Sequence, residues 1–191
     1  MKTGLFFGSF NPVHIGHLAI ANYMVEFSDI KQVWFVVSPQ NPLKKKRSLL
    51  ADHHRMALVQ RAIEDDGRFR ACDVEFKMSQ PSYTIDTLTY LREQYPEHEF
   101  VIIMGADGLA TFHKWKNYKE LMRSCQRYIY PRMGLHLDNF QNLENCVYVN
   151  APLMNISSTF IREAIKLGKD VRYFMHAKTY EYLKEMHFYE K

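Results

Sequence analysis

Short apolar segments alternate with amphipathic helical patterns along most of this 191-residue chain. Strands are predicted at residues 4–7, 32–37, 70–76, 99–104, 127–130 and 146–149. Helices are predicted at residues 15–27, 52–64, 84–94, 109–123, 158–167 and about 177–186, the fourth of them broken near Trp115. Strands separated by helices at this spacing are typical of βαβ units. The sequence therefore predicts an α/β fold, a parallel sheet covered by helices on both faces.

The composition is that of one globular unit. Hydrophobic residues make up 47% of the chain, so we expect residues 1–191 to form a single domain that includes the helical segment from about 156 to 191. No apolar run approaches the roughly 18 residues of a membrane helix, and the first residues lack a signal-peptide cleavage pattern. Three widely spaced cysteines fit a reducing compartment. We expect a cytoplasmic protein that binds neither membrane nor nucleic acid.

The loop after the first predicted strand reads GSFNPVHIGH, residues 8–17. It occupies the position of a phosphate-binding loop but matches neither the GxGxxG nor the GxxxxGK[ST] pattern. A zinc site built on His14 and His17 lacks a third ligand at a suitable spacing, and two incidental polar residues are the other alternative. We favour phosphate binding, because imidazole N–H groups beside a helix N-terminus form an anion clamp. Gly16 allows close approach to the backbone.

A second motif, NISSTFIR, occupies residues 155–162. Ser157 and Ser158 can offer hydroxyl and backbone N–H groups at a helix start, and Arg162 adds a fork of donors one turn later. Alone, such a segment is ordinarily a helix cap. Together with the sequence HIGH at residues 14–17, this segment resembles the motifs of the [T/H]xGH nucleotidyltransferase superfamily. The resemblance implies a Rossmann-like fold of the nucleotidyltransferase type.

Two further stretches, PSYTIDTL at 81–88 and GADGLATFHKWKNY at 105–118, narrow the resemblance. Over essentially the whole chain, the sequence resembles the bacterial nicotinate-mononucleotide adenylyltransferase family. That resemblance implies transfer of AMP from ATP to nicotinate mononucleotide, with release of pyrophosphate and with Mg²⁺ accompanying ATP. We predict no metal site held by the protein alone. Phosphopantetheine adenylyltransferase, which shares the two end motifs, and a nucleotide-binding sensor without turnover are the alternatives.

The resemblance also implies residue roles. The catalytic residues would be His14, His17 and Arg162. The ATP-binding residues would be Gly8, Ser9, Phe10, Gly16, Lys44, Gly105, Asp107, Ile156, Ser157 and Ser158. The residues binding nicotinate mononucleotide would be Ser9, Tyr83, Thr84 and Trp115. The usual PPHK of the second loop reads NPLKK here, so the choice among Lys44, Lys45 and Lys46 stays open, with Lys44 preferred.

Three of these assignments have alternatives in the sequence. Asp107 would accept hydrogen bonds from ribose hydroxyls, but a general base or a buried structural carboxylate fits the same position. Trp115 would stack on the cationic pyridine ring, although a lone tryptophan is more often part of a core. Tyr83 and Thr84 would present helix N–H groups to the nicotinate carboxylate, or form an ordinary helix start capped by Ser82. The charged cluster at 44–47 fits a solvated loop or an attraction for small anions, and the oligomeric state, a homo-oligomer included, stays open.

Overall fold

The computed structural model describes residues 1–39, 49–134 and 143–190. A six-stranded sheet lies at its centre, in the order β3-β2-β1-β4-β5-β6, and every neighbouring pair of strands is parallel. The strands are β1 (Lys2–Gly8), β2 (Gln32–Val37), β3 (Phe69–Cys72), β4 (Glu99–Gly105), β5 (Arg127–Tyr130) and β6 (Cys146–Tyr148). The predicted parallel sheet is confirmed.

Seven α-helices are found within the described residues, and they cover both faces of the sheet. They are α1 (Ile15–Phe27), α2 (Asp52–Ile63), α3 (Thr84–Gln94), α4 (Ala106–Ala110), α5 (Tyr118–Ser124), α6 (Ser158–Lys166) and α7 (Ala177–Glu185). Buried residues of α1, α2, α6 and α7 join one apolar cluster, and those of α3, α4 and α5 join the other. In the described part of the chain, no helix has both the length and the apolar character needed to cross a membrane.

The strand β2 shows why these apolar runs become central strands. Phe35 belongs to the first cluster, whereas Trp34 and Val36 belong to the second. Successive side chains of a strand point to opposite faces, so a strand covered on both faces needs apolar residues throughout. This explains the unbroken run VWFVV at residues 33–37.

Two predicted elements have different bounds in the structure. The strand predicted at 70–76 ends at Cys72, which pairs with Val36, the residue before the end of β2. Beyond Cys72 the strand has almost no neighbour left to pair with, and a 3-10 turn (Val74–Lys77) follows. The helix predicted at 109–123 is two helices, α4 and α5, separated by a second 3-10 turn (Phe112–Lys114). Trp115 is extended and Asn117 adopts the left-handed region (φ 50°), so the predicted break is confirmed while the predicted start is wrong.

The two central strands, β1 and β4, define the position of the site. From β1 the chain proceeds outward through β2 and β3, and from β4 it proceeds through β5 and β6 in the other direction. Ligands of open parallel sheets bind beyond the carboxyl ends of the strands at such a switch point. The loop after Gly8 and the start of α4 after Gly105 therefore border the expected ligand site.

Candidate active site

The loop after β1 turns tightly around a buried aromatic ring. Phe10 has a positive φ of 43° and is only 2% exposed. A Cβ added to Gly8 would lie 2.9 Å from the Phe10 ring, so this position requires glycine. The Phe10 ring belongs to the core, which leaves its backbone as the part that could meet a ligand. The loop then leads to His14, the N-cap of α1.

The two histidines of the loop lie against each other at the start of α1. Their ring centroids are 3.7 Å apart, and the backbone N–H of His14 donates to Nδ1 of His17 at 3.2 Å. Because Nδ1 accepts this bond, the neutral His17 ring carries its hydrogen on Nε2. A Cβ on Gly16 would lie 3.1 Å from the His14 ring, so Gly16 makes room for that ring. His17 is thus oriented as an Nε2–H donor.

His14 is neutral in the folded protein. Its side chain is 5% exposed, and its Nδ1 atom has no hydrogen-bond partner within the described residues. Burial, together with the positive charge of Arg132, lowers the pKa of His14 from 6.5 to about 4. A buried polar atom normally has a partner, so this nitrogen is suited to a ligand atom.

A cleft in front of the histidines brings together residues of the first loop, the end of β5 and the segment at 155–162. It is lined by Phe6, His14, Gly16, His17, Ile20, Tyr130, Pro131, Arg132, Met154 and Ile156. Arg132, which the sequence reasoning missed, follows β5, and its Nε donates to Asp107 at 3.4 Å. The Asp107 side chain is 62% exposed, so the buried structural alternative for this carboxylate is wrong. Through Arg132, the loop after β4 is joined to the histidine cleft.

The motif at 155–162 is bonded directly to the first loop. The Ser158 hydroxyl donates to the carbonyl of Pro12 at 2.8 Å, and Nη1 of Arg162 donates to the carbonyl of Asn11 at 2.8 Å. The Ser157 hydroxyl oxygen caps α6 by accepting from the Phe160 N–H at 3.1 Å. The two end motifs therefore meet in space. Ser158 uses its hydroxyl hydrogen to hold the loop, which leaves its backbone N–H for a ligand.

Asn11 is held by a residue far along the chain as well. Its Oδ1 accepts from the Tyr189 hydroxyl at 2.6 Å and from the Leu50 N–H at 3.2 Å. Burial raises the pKa of Tyr189, so its hydroxyl stays a donor. The sequence reasoning assigned no role to Tyr189, because nothing in the residues around it marks a contact with residue 11.

Arg55 of α2 ties the loops after β1 and β2 together. It is fully buried, and its guanidinium also pairs with Asp52. The backbone oxygens that accept from it are those of Ser9 (2.7 Å), Ser38 (2.7 Å), Leu50 (3.0 Å) and Pro39 (3.3 Å). Sequence reasoning missed this residue, although its spacing held the signal. Positions 55, 58, 59 and 62 form one helix face, whose other members are buried and apolar.

The start of α3 has open N–H groups. Its N-cap residue, Tyr83, makes no side-chain cap bond, and the N–H groups of Thr84 and Ile85 have no acceptor within the described residues. The expectation that Ser82 caps this helix is wrong, because its hydroxyl donates to Oε2 of buried Glu75 at 3.0 Å. The first turn of α3 can therefore receive an anion.

The segment that contains Trp115 contacts α3 through the next residue, Lys116. The Trp115 side chain is half-buried, and its ring lies 5.3 Å from that of Phe112. The next residue, Lys116, donates from Nζ to Asp86 of α3 at 2.8 Å and lies 4.8 Å from the centroid of the Tyr83 ring. The structure thus brings together two of the segments predicted to bind nicotinate mononucleotide.

The loop lysines and a metal site are the two remaining features that the sequence analysis considered for phosphate binding. Lys44, Lys45 and Lys46 lie outside the described residues. Across residues 1–39, 49–134 and 143–190, no group of three or more His, Cys, Asp or Glu side chains could hold a metal ion.

Comparisons with known proteins show the family to which the chain belongs. The model of the cytidylyltransferase-like family matches residues 5–164. A protein from Flavobacterium johnsoniae named "probable nicotinate-nucleotide adenylyltransferase" is 47% identical over 100% of both chains, and one of the same name from Flavobacterium psychrophilum is 49% identical over 100% of both. The chain belongs to the nicotinate-nucleotide adenylyltransferase family.

Solved structures agree with this family in fold. A nicotinic acid mononucleotide adenylyltransferase from Plasmodium falciparum, complexed with NaAD, matches 99% of this chain and 97% of its own, with a TM-score of 0.82 and 19% identity. The same enzyme complexed with APC gives a TM-score of 0.81. The Rossmann-like, nucleotidyltransferase-type fold predicted from the end motifs is confirmed. The individual residue roles in this member of the nicotinate-nucleotide adenylyltransferase family stay predictions.

Proposed function

We propose that this protein transfers the adenylyl group of ATP to nicotinate mononucleotide, forming deamido-NAD and pyrophosphate. The observation that carries the proposal is the 47% identity, over both whole chains, to a relative named for this activity. The geometry supports it, because the paired histidines and the open start of α3 both lie beyond the carboxyl ends of the strands. Three free cysteines are in keeping with the cytoplasmic location that we propose for it.

The proposed chemistry needs no general base. The nucleophile is the phosphate of nicotinate mononucleotide, whose second pKa is about 6, so it is mostly dianionic at neutral pH. The enzyme must align this phosphate with the α-phosphorus of ATP and stabilise the charge that develops there and on the leaving pyrophosphate. We assign the first task to the loop around Ser9 and the second to the N–H groups of His14, His17 and Arg162.

A divalent cation is part of the proposal only as a companion of ATP. Mg²⁺ prefers oxygen ligands and is commonly held by one or two carboxylates together with substrate phosphates. Asp107, an exposed carboxylate that Arg132 joins to the histidine cleft, is kept for the ribose hydroxyls. Bound with ATP, Mg²⁺ would neutralise part of the triphosphate charge. His17 would still be needed, because its Nε2–H supplies a directed hydrogen bond.

Selectivity for the acid substrate is expected from the start of α3. The open N–H groups of Thr84 and Ile85 and the positive end of the helix dipole favour a carboxylate. An amide brings an NH₂ group against the same donors, at a cost on the order of 1–3 kcal/mol for each unpaired buried group. Two such groups correspond to a preference of about 30- to 10⁴-fold in kcat/KM. The Trp115 face would receive the cationic pyridine ring.

The test is pyrophosphate release by the purified protein with ATP and each of three acceptors. We expect nicotinate mononucleotide to give deamido-NAD by mass spectrometry, and nicotinamide mononucleotide to react far more slowly. Preferential adenylylation of phosphopantetheine would favour the related adenylyltransferase. ATP binding without turnover of any acceptor would favour a sensor. The His17→Ala variant is the control for contaminating activity.

A further inference from the structure

A buried carboxylate underlies the start of α3. Glu75, in the 3-10 turn after β3, is 3% exposed and has no ion-pair partner within the described residues. A carboxylate that is removed from water without a cation depends on hydrogen bonds. Its two oxygens accept from the hydroxyls of Ser82 (Oε2, 3.0 Å) and Thr87 (Oε1, 2.9 Å).

These two hydroxyls bracket the start of α3. Ser82 immediately precedes the N-cap residue Tyr83, and Thr87 is the fourth residue of the helix. The chain between Glu75 and Ser82 is closed by a further bond, in which the Gln80 side chain donates to the Glu75 carbonyl at 2.8 Å. One carboxylate therefore sets the position of the backbone on both sides of Tyr83 and Thr84.

The start of α3 has no side-chain cap. Serine is among the residues that most often cap helices by accepting from the N–H of the second or third helical residue. Here the Ser82 hydroxyl is directed at Glu75, and no side chain caps the helix. The first N–H groups of α3 are thus left for a ligand and are held in place by the bond that diverts Ser82.

We propose that Glu75 is a positioning residue for the mononucleotide substrate, acting through Ser82 and Thr87 on the first N–H groups of α3. This inference rests on the proposed function, in which those groups bind the nicotinate carboxylate. Removing Glu75 releases both hydroxyls and lets the first turn of α3 shift. The histidine cleft has no lining residue in this network, so ATP binding is left unchanged.

Steady-state kinetics of Glu75→Ala and Glu75→Gln test the proposal. We expect Glu75→Ala to raise the KM for nicotinate mononucleotide by about 10- to 100-fold, the effect of a misplacement near 1 Å, with the KM for ATP changed less than about 2-fold. The preference for the acid over the amide mononucleotide should fall as well. Glu75→Gln should restore most of the wild-type KM. Its oxygen can accept from Ser82, and its NH₂ can donate to Thr87, whose hydroxyl has a second acceptor in the Tyr83 carbonyl at 3.2 Å.

Two further variants separate positioning from stability. Thr179→Val removes another fully buried hydroxyl, which donates to the Leu58 carbonyl at 3.2 Å on the opposite face of the sheet. It should lower the Tm without a selective rise in the mononucleotide KM. Ser82→Ala removes one of the two hydrogen bonds to the Glu75 side chain. The same two KM values are measured for this variant, so it replaces Glu75→Ala if that variant does not fold. We expect a selective rise of about 3-fold or more, because one of the two side-chain hydrogen bonds that hold Glu75 is lost.

The outcomes are distinct. Equal changes in the two KM values, or no change, in the folded Glu75 or Ser82 variants overturn the positioning role while the wild-type activity supports the proposed function. Failure of Glu75→Gln to restore the KM also overturns it. A wild-type protein that releases no pyrophosphate with ATP and nicotinate mononucleotide overturns the proposed function and this inference together.

Discussion

Acidification is expected to destabilise the folded protein through His14. Burial and Arg132 hold the pKa of this histidine at about 4 in the folded protein, against 6.5 as its ordinary value in an unfolded chain. Between those two pH values the unfolded chain binds more protons, so the free energy of unfolding falls as the pH is lowered. The contribution of His14 to the free energy of unfolding is complete above pH 6.5. This contribution is lower by about 2 kcal/mol at pH 5 and by about 3 kcal/mol below pH 4.

The measurement is urea unfolding of the wild type and of His14→Gln at pH 7 and at pH 5. Other titrating groups contribute equally to both proteins, so the difference between their pH dependences isolates His14. His113→Gln replaces an exposed histidine of the second 3-10 turn and should keep the wild-type dependence. If the wild type and His14→Gln lose the same stability between these pH values, the buried neutral state assigned to His14 is wrong.

Three further changes address catalysis, binding and stability. His17→Ala should lower kcat by about 10²- to 10³-fold in the pyrophosphate assay, because one hydrogen-bond donor to the transition state is lost. A kcat near the wild-type value would contradict the phosphate-binding role of this histidine. Trp115→Ala should raise the KM for nicotinate mononucleotide by about 2- to 30-fold with little change for ATP, whereas equal effects would indicate a structural tryptophan. Arg55→Met should lower the free energy of unfolding on the order of 3 kcal/mol, because four backbone carbonyls lose their donor. A loss below about 0.5 kcal/mol in urea unfolding would contradict that role.

Local patterns predicted much of the fold. The bounds of α1, α3, β2 and β5 agree with the prediction, because each is a local run of residues that is bounded by polar residues or turns. The bounds of β3 and α4 depended on tertiary structure. β3 ends where its neighbour ends, and α4 begins directly at the last residue of β4, neither of which a local pattern contains.

The same distinction applies to the site. His14, His17 and Arg162 could be proposed as site residues from the sequence, because each lies in a short motif with a recognisable spacing. Arg132 and Glu75 were missed, since their roles come from contacts with Asp107 and with the start of α3. Glu75 also fell within the strand predicted at 70–76, where alternation gave no reason to expect a buried carboxylate. A charged side chain outside such a motif is identified as part of a site only when its partners are known.

The bond between Tyr189 and Asn11 makes the histidine loop dependent on the whole length of the described chain. The two residues are 178 positions apart, so a ribosome has made almost all of this sequence before the Asn11 side chain meets that partner. A contact of such high sequence separation forms late, because the intervening chain must first be ordered. During synthesis, the sheet around β1 can therefore assemble while the loop that precedes His14 still lacks one of its supports. Proteolytic cleavage just before Tyr189 would return the loop to that earlier condition without removing any residue that lines the cleft.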